Sequence, residues 1–489
     1  MKPELAKDGR LCLKAKAGPT TTRLSDQDAT HPWPDTLFPL PLTYFENYML
    51  VDDRPTHPMS IFVDIRLSGD LKRDAFEQAY QKSLDRHPLL QCVVRKIRRR
   101  WHWTPACHLI KPVKWASDSN ARPAEGQSHI DLQLETGLRT WVEHQPDQSR
   151  VGFQFHHAAT DGLGAVKFIG DLLAIYGQLT TPEGEESPEL LPVTFGKLRD
   201  RGQLWTEGQS RIASMRRVLE CTWEFVTQVP KPLATPPRAR LHEASEPSMP
   251  NMASRKVDKE TTKAIKREAA KRLVSANDLY SLVLFQTMRR WNQLHDIDGR
   301  PSTMRVGVPV TLRTPHHEDS PAANILSYMA LTSFADDDPD QLLKRISRRA
   351  AQTVGGVDGP VFTLGVGGVM THLPWFGRYC SNHPNYCFTT AVLTNIGEVR
   401  RAVGNRFPLR KGHCVAGSVT LEALLGTAPV RPQTAVAIAL GTYGGHLFIN
   451  ANCDPYTFSN KDARAFLDLY IETLEQLVDE SQQVVKKSA

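Results

Sequence analysis

The spacing of hydrophobic and polar positions changes period repeatedly along this chain, and each change marks an element. Residues 59–67 alternate apolar and polar, as a half-buried strand does. After Ser68-Gly69-Asp70 the spacing becomes helical over 71–85, with Leu71, Phe76, Ala79, Tyr80 and Leu84 on one face. Asp70 is placed to cap that helix and Pro88 to stop it. Residues 90–94 read as a strand. Residues 138–144 and 150–157 form a hairpin around Gln145-Pro146-Asp147-Gln148, and a helix over 163–176 follows. Further on, the pattern predicts helices over 261–271, 279–291, 341–349, part of 362–376 and 461–477. The second of these is led by a Ser275–Asp278 capping box. Strands are expected over 304–310, 386–393, 415–421, 436–440 and 447–452. Strand-rich stretches give way to helices twice, which predicts two α/β halves.

The length agrees with two halves, because 489 residues exceed what one hydrophobic core usually serves. The expected organisation is a polar, disordered tail over 1–36 and a first half over 37–180. A connector over 181–252 carries a helix near 204–226 and a Pro-rich stretch at 230–237. A second half over 253–480 and a short tail over 481–489 complete the chain.

Composition changes this picture little. A net charge of +7 is mild for the length and does not call for a nucleic-acid partner. Arg95–Arg100, followed by Trp101-His102-Trp103, reads first as a solvated hairpin turn. The eight cysteines include no CxxC pair and no spacing that suggests zinc. The glycine-rich stretch 361–379 is interrupted by Thr, His, Pro and Arg, and the N-terminus has no apolar core. A cytoplasmic protein with free thiols, no transmembrane segment and no metal is expected.

The candidate chemistry sits at the strand–turn–helix junction, His156-His157-Ala158-Ala159-Thr160-Asp161-Gly162. If the strand holds through the pair, His157 shares a face with Val151, Phe153 and Phe155, and His156 points to the other. One histidine alone then addresses a given cavity, and alternation does not choose which. Asp161 can fix the turn through an ion pair, and Gly162 permits a backbone that other residues resist. The plain alternative is a strand-end histidine pair closed by an Asp-Gly turn.

This HHxxxDG stretch resembles the hallmark of the chloramphenicol acetyltransferase-like superfamily of acyl-thioester-dependent acyltransferases, which includes condensation domains, wax ester synthases and alcohol acyltransferases. Supporting matches follow in the family's order: Pro41-Leu42-Thr43, Leu67–Leu71, Arg86–Leu90, Glu135–Arg139, Ala276-Asn277-Asp278, Val308–Arg313, Asn324 and Leu393–Gly397. The resemblance implies a pseudo-dimer of two α/β subdomains with a channel between them and the motif at its middle. It implies His157 as general base, with His156 beside it. Asp161 would be structural, paired with Arg313 or Arg86, and Gly162 would hold the turn. Thr394, Asn395 and Thr420 are candidates for the oxyanion or the channel wall. No bound cofactor is implied; the co-substrate would be acyl-CoA or a phosphopantetheinyl carrier thioester, and the acceptor a small alcohol or amine. An acyl carrier protein is a candidate partner, and the basic turn could meet it or the CoA phosphates. A monomer is expected. Asn395-Ile396-Gly397-Glu398 lacks both prolines of the wax ester synthase segment, which counts against wax synthesis. The competing reading is a non-catalytic, condensation-domain-like module that binds a carrier protein or ligand.

Overall fold

The computed structural model describes residues 32–116, 129–203, 211–236, 251–295, 302–354, 361–383 and 386–488. In chain order the first part runs β1 (Leu40–Pro41), α1 (Tyr44–Asp52), β2 (Ser60–Gly69), α2 (Arg73–Arg86), β3 (Cys92–Ile97), β4 (Arg100–Pro105), β5 (Lys114–Ala116), β6 (Leu138–Gln145), β7 (Gln148–His156) and α3 (Gly162–Thr180). Helix α4 (Arg211–Thr227) lies in the connector. The later part runs β8 (Asn251–Val257), α5 (Lys259–Lys271), α6 (Ala276–His295), β9 (Met304–Thr311), β10 (Leu326–Ser333), α7 (Pro339–Val354), α8 (Val361–His372) and α9 (Pro374–Asn382). It ends with β11 (Ala391–Glu398), α10 (Val399–Ala402), β12 (Leu409–Arg410), β13 (His413–Ala416), β14 (Val419–Thr427), β15 (Val436–Tyr443), β16 (His446–Cys453) and α11 (Asn460–Ser488).

Two mixed sheets dominate. One has the order β12-β13-β14-β2-β7-β6-β5, the other β10-β9-β11-β15-β16-β8. The first sheet therefore borrows β12, β13 and β14 from the second half, and β14 lies antiparallel beside β2 with Thr427 opposite Phe62. Each sheet packs on its own apolar core. Phe153, Phe155 and Phe168 lie in the first, and Phe285, Ile438 and Phe466 in the second. A small sheet, β1-β4-β3, stands apart. Residues 33–489 form one compact unit.

Several local expectations change. Trp33 is 3% exposed and packs on Phe38 and Phe195, so the folded part begins by residue 33. Most of the predicted tail, residues 1–31, lies outside the described residues. Helix α2 starts after Lys72, whose N–H is satisfied by the Tyr176 hydroxyl, so the Asp70 side chain does not cap it. The predicted strand 415–421 is a hairpin, because Gly417 turns at φ +56° and a methyl there would strike Thr180 Oγ1 at 2.0 Å. The strand expected over 386–393 begins only at Ala391, since Phe388 O and Thr390 Oγ1 bond instead to Arg305 and Lys231. The helix within 362–376 breaks at Leu373-Pro374. Helix α1 escapes periodicity because apolar and polar residues alike are buried around it. The Thr43/Glu46 capping box was its visible mark. The basic run is the β3–β4 turn: Arg98 and Arg99 take φ of 46° and 72°, and both are exposed.

Candidate active site at the junction of the two halves

Strand β7 ends on His156, opposite Ser60 of β2. The His157 N–H still bonds to Met59 O at 2.7 Å, so the ladder runs one bond past the strand. The two rings then meet different partners. Ala158 N donates to His156 Nδ1 at 3.1 Å, which leaves the proton on Nε2. That nitrogen faces Asp53 Oδ2 at 3.4 Å. Asp53 also accepts from Met59 N at 2.7 Å and pairs with His129 Nε2 at 2.6 Å. Burial alone would raise the Asp53 carboxyl, but His129 and His156 hold it well below the usual carboxylate range.

His157 has the opposite tautomer. Its Nδ1 lies 3.2 Å from Thr160 O, and a carbonyl can only accept, so Nδ1 carries the proton. The lone pair is left on Nε2, which has no hydrogen bond among the described residues. The residue is 5% exposed. Burial pushes its pKa below the ordinary imidazole value, with the Asp161 charge opposing. A neutral, oriented imidazole with a free Nε2 is suited to accept a proton.

Asp161 caps α3 by accepting from Gly164 N at 2.8 Å. The same carboxylate takes both arms of Arg313, at 2.6 and 2.9 Å, and the N–H of Ile325 at 2.8 Å. Residues 322–325 of the second half thus form a strap across the motif. Ala322 N donates to His87 Nδ1 at 2.9 Å, Ala323 O accepts from Arg313 at 3.0 Å, and Asn324 Nδ2 donates to His157 O at 2.7 Å. Gly164 lets the strap come close: a methyl there would lie 2.2 Å from Thr160 Oγ1 and 2.9 Å from Ala323 O.

Arg86 is engaged elsewhere. It bonds to Asp171 Oδ2 at 2.7 Å, while Arg406 holds Oδ1 at 2.6 Å and His87 Nε2 stands at 3.2 Å. Burial would raise the Asp171 carboxyl, yet these partners hold it well below its usual range. This cluster locks α3 against the end of α2 and does not reach Asp161.

Comparison with solved structures identifies the scaffold. The trichothecene 15-O-acetyltransferase TRI3 from Fusarium sporotrichioides superposes with a TM-score of 0.65 at 12% identity, covering 89% of this chain and 94% of that one. The starter condensation domain of rhizomide synthetase, in complex with C8-CoA and Leu-SNAC, gives 0.61 at 12% identity over 90% and 94%. This chain has the chloramphenicol acetyltransferase-like fold. In sequence, it is 23% identical over 344 residues to the uncharacterized protein Rv2305 of Mycobacterium tuberculosis, covering 68% of this chain and 74% of that protein. No protein-family model matches the chain.

In this chloramphenicol acetyltransferase-like fold the remaining expected residues separate. Thr394 and Asn395 lie on β11, whose Ile396 comes within 3.6 Å of where a methyl on Gly162 would stand. Asn395 is tied locally, accepting from Gly397 N at 2.8 Å and donating to Asn277 at 2.7 Å. Thr420 is not at the site. It pairs with Ser68, eight residues along β2 from Ser60, or about 26 Å at the rise of a strand. Its placement as oxyanion donor is therefore corrected by the register. Asp53, His129 and Thr160 were not picked out from sequence. The Asp52-Asp53-Arg54 run was the one available signal, and nothing in it points to a histidine a hundred residues away. Among the described residues no His, Cys, Asp or Glu group could hold a metal, and no helix is long and apolar enough to cross a membrane. The seven described cysteines are unpaired.

Proposed function

We propose that this chain is an acyltransferase that moves an acyl group from a CoA or carrier-protein thioester to an alcohol or amine, with His157 as general base. The observation that carries the reading is the tautomer of His157: Nδ1–H spent on Thr160 O, and Nε2 bare and neutral. The acceptor's oxygen or nitrogen attacks the thioester carbonyl while its proton passes to Nε2. The tetrahedral intermediate collapses, the C–S bond breaks, and the departing sulfur takes the proton back, leaving ester or amide and free thiol. No covalent acyl-enzyme is needed, so the cysteines play no part. Asp161 and Arg313 hold the turn that presents the base, and Asp53 and His156 support it from behind. Thr394 and Asn395 remain the candidates for the oxyanion side. The thioester-bound rhizomide domain and the O-acetyltransferase among the structural neighbours support a thioester donor and a hydroxyl acceptor.

The test is free-thiol release from a panel of acyl-CoA esters with alcohol and amine acceptors. His157→Ala should lower turnover by about 10²- to 10⁴-fold with the circular dichroism unchanged. Turnover retained in that variant would sink the mechanism. Partner binding by a wild-type protein that releases no thiol from any donor would favour the non-catalytic module.

A further inference from the structure

Three cavities lie in sequence along the edge strand β10. The innermost is walled by Met59, Tyr328, Phe362, Met370, Val392 and Pro429, among others. The middle one shares Phe225, Tyr328, Met329, Phe362 and Val366 with it. The outer one shares Glu224, Thr332 and Arg349 with the middle one and adds Arg345 and Arg348 of α7. Ala330 borders all three.

The chemistry changes from end to end. At the inner end, the residue lining the cavity is Met59, whose carbonyl holds the His157 N–H. The polar side chains there are Tyr48, Tyr328, Thr389 and Arg431. Burial raises both tyrosines, Tyr328 to about 12, so they stay neutral donors. Arg431 is matched by Asp52 at 2.8 Å. At the outer end three arginines face one carboxylate, Glu224, within the lining. Arg345 is paired with Asp337, and Arg349 reaches Cys221 Sγ at 3.4 Å. Arg348 is exposed, with no ion pair among the described residues.

A passage with a cationic mouth and a mainly apolar inner end, walled by the Met59 that holds the His157 N–H, selects an amphiphile. We propose that the row of cavities seats the acceptor: an anionic head at Arg345, Arg348 and Arg349, an apolar body along β10, and the nucleophilic hydroxyl or amine toward His157. This rests on the acyltransferase reading above. A pantetheine arm suits the innermost cavity less well, because its two amides would need partners along a wall made mostly of Met, Phe, Val and Pro. In the step itself the hydroxyl oxygen of the amphiphile forms the new ester bond, its proton goes to His157 Nε2, and the donor's C–S bond breaks to release thiol.

The experiment separates binding from turnover. Binding of 10-hydroxydecanoate, 12-hydroxydodecanoate and 16-hydroxyhexadecanoate, and of their methyl esters, is measured by calorimetry on the full chain. At least one acid should bind about tenfold more tightly than its ester. Arg348→Glu, on the surface, should abolish that preference, and Ala330→Phe, at the shared wall, should weaken acid and ester alike. Equal affinity for acid and ester, no binding of any acid, or an Ala330→Phe variant that binds as wild type would overturn the proposal. Acid binding with the expected preference, but without thiol release from any acyl-CoA, would support the seat while counting against acyl transfer.

Discussion

At the scale of single residues, the site depends on which nitrogen carries a proton. His156 and His157 are neighbours of one type, yet Ala158 N and Thr160 O impose opposite tautomers on them. Because burial lowers the pKa of His157, its neutral imidazole persists to lower pH than a free imidazole would allow. Turnover should therefore fall as pH drops through a value below about 6.5 and stay level between pH 7 and 8. A pH–rate profile for kcat checks this, and an inflection above 7 would contradict it. The two arginines once open for Asp161 make different predictions. Arg313→Ala leaves Asp161, 1% exposed at its side chain, without its cation. It should cost about 3 kcal/mol in urea unfolding and lower kcat as well. Arg86→Ala loosens the Asp171 cluster, where Arg406 still holds the carboxylate. It should cost less stability and leave kcat near wild type.

At the scale of elements, the strand–turn–helix junction works because α3 can approach the 322–325 strap. Gly164→Ala puts a methyl into Thr160 Oγ1 and Ala323 O. Thr160 is also the residue whose carbonyl orients His157, so the clash bears on the base. A helical Gly→Ala change would ordinarily gain up to about 1 kcal/mol. Here we expect a loss of about 1–3 kcal/mol and a lower kcat, read by chemical denaturation and thiol release. A gain in stability with unchanged kcat would refute the packing argument. The β6–β7 hairpin, α3, α5, α6 and the β15–β16 pair were legible because each has one clear period or cap. Strands β8 and β10 were not. Asn251–Val257 mixes Asn, Ser, Arg and Lys into its strand, and β10 lies at an edge. At the site, the motif itself was legible, whereas Asp53, the strap and the placement of Thr420 were not. Those depend on register and on contacts between residues far apart in sequence, which local spacing does not encode.

At the scale of the whole molecule, the candidate site is assembled across the seam between the halves. His157, the proposed base, its orienting carbonyl and the cap of α3 come from the first half. The cation on Asp161 and the strap behind His157 come from the second. The chain crosses the seam three times, once through the connector with α4 and twice more as it enters β12–β14 in the first sheet and leaves them for β15 in the second. That return has a consequence for how the chain is made. Strand β2 has β14 as its permanent neighbour on one side, and β14 ends at Thr427, roughly 350 residues after β2. At about 5–20 residues per second of synthesis, the open edge of β2 waits tens of seconds for its partner. During that time it carries Ile61, Val63 and Ile65 in a strand with one open edge, the kind of segment that self-associates. The nascent chain is therefore most vulnerable before residue 427 emerges, and a ribosome-bound chaperone would have its main work there.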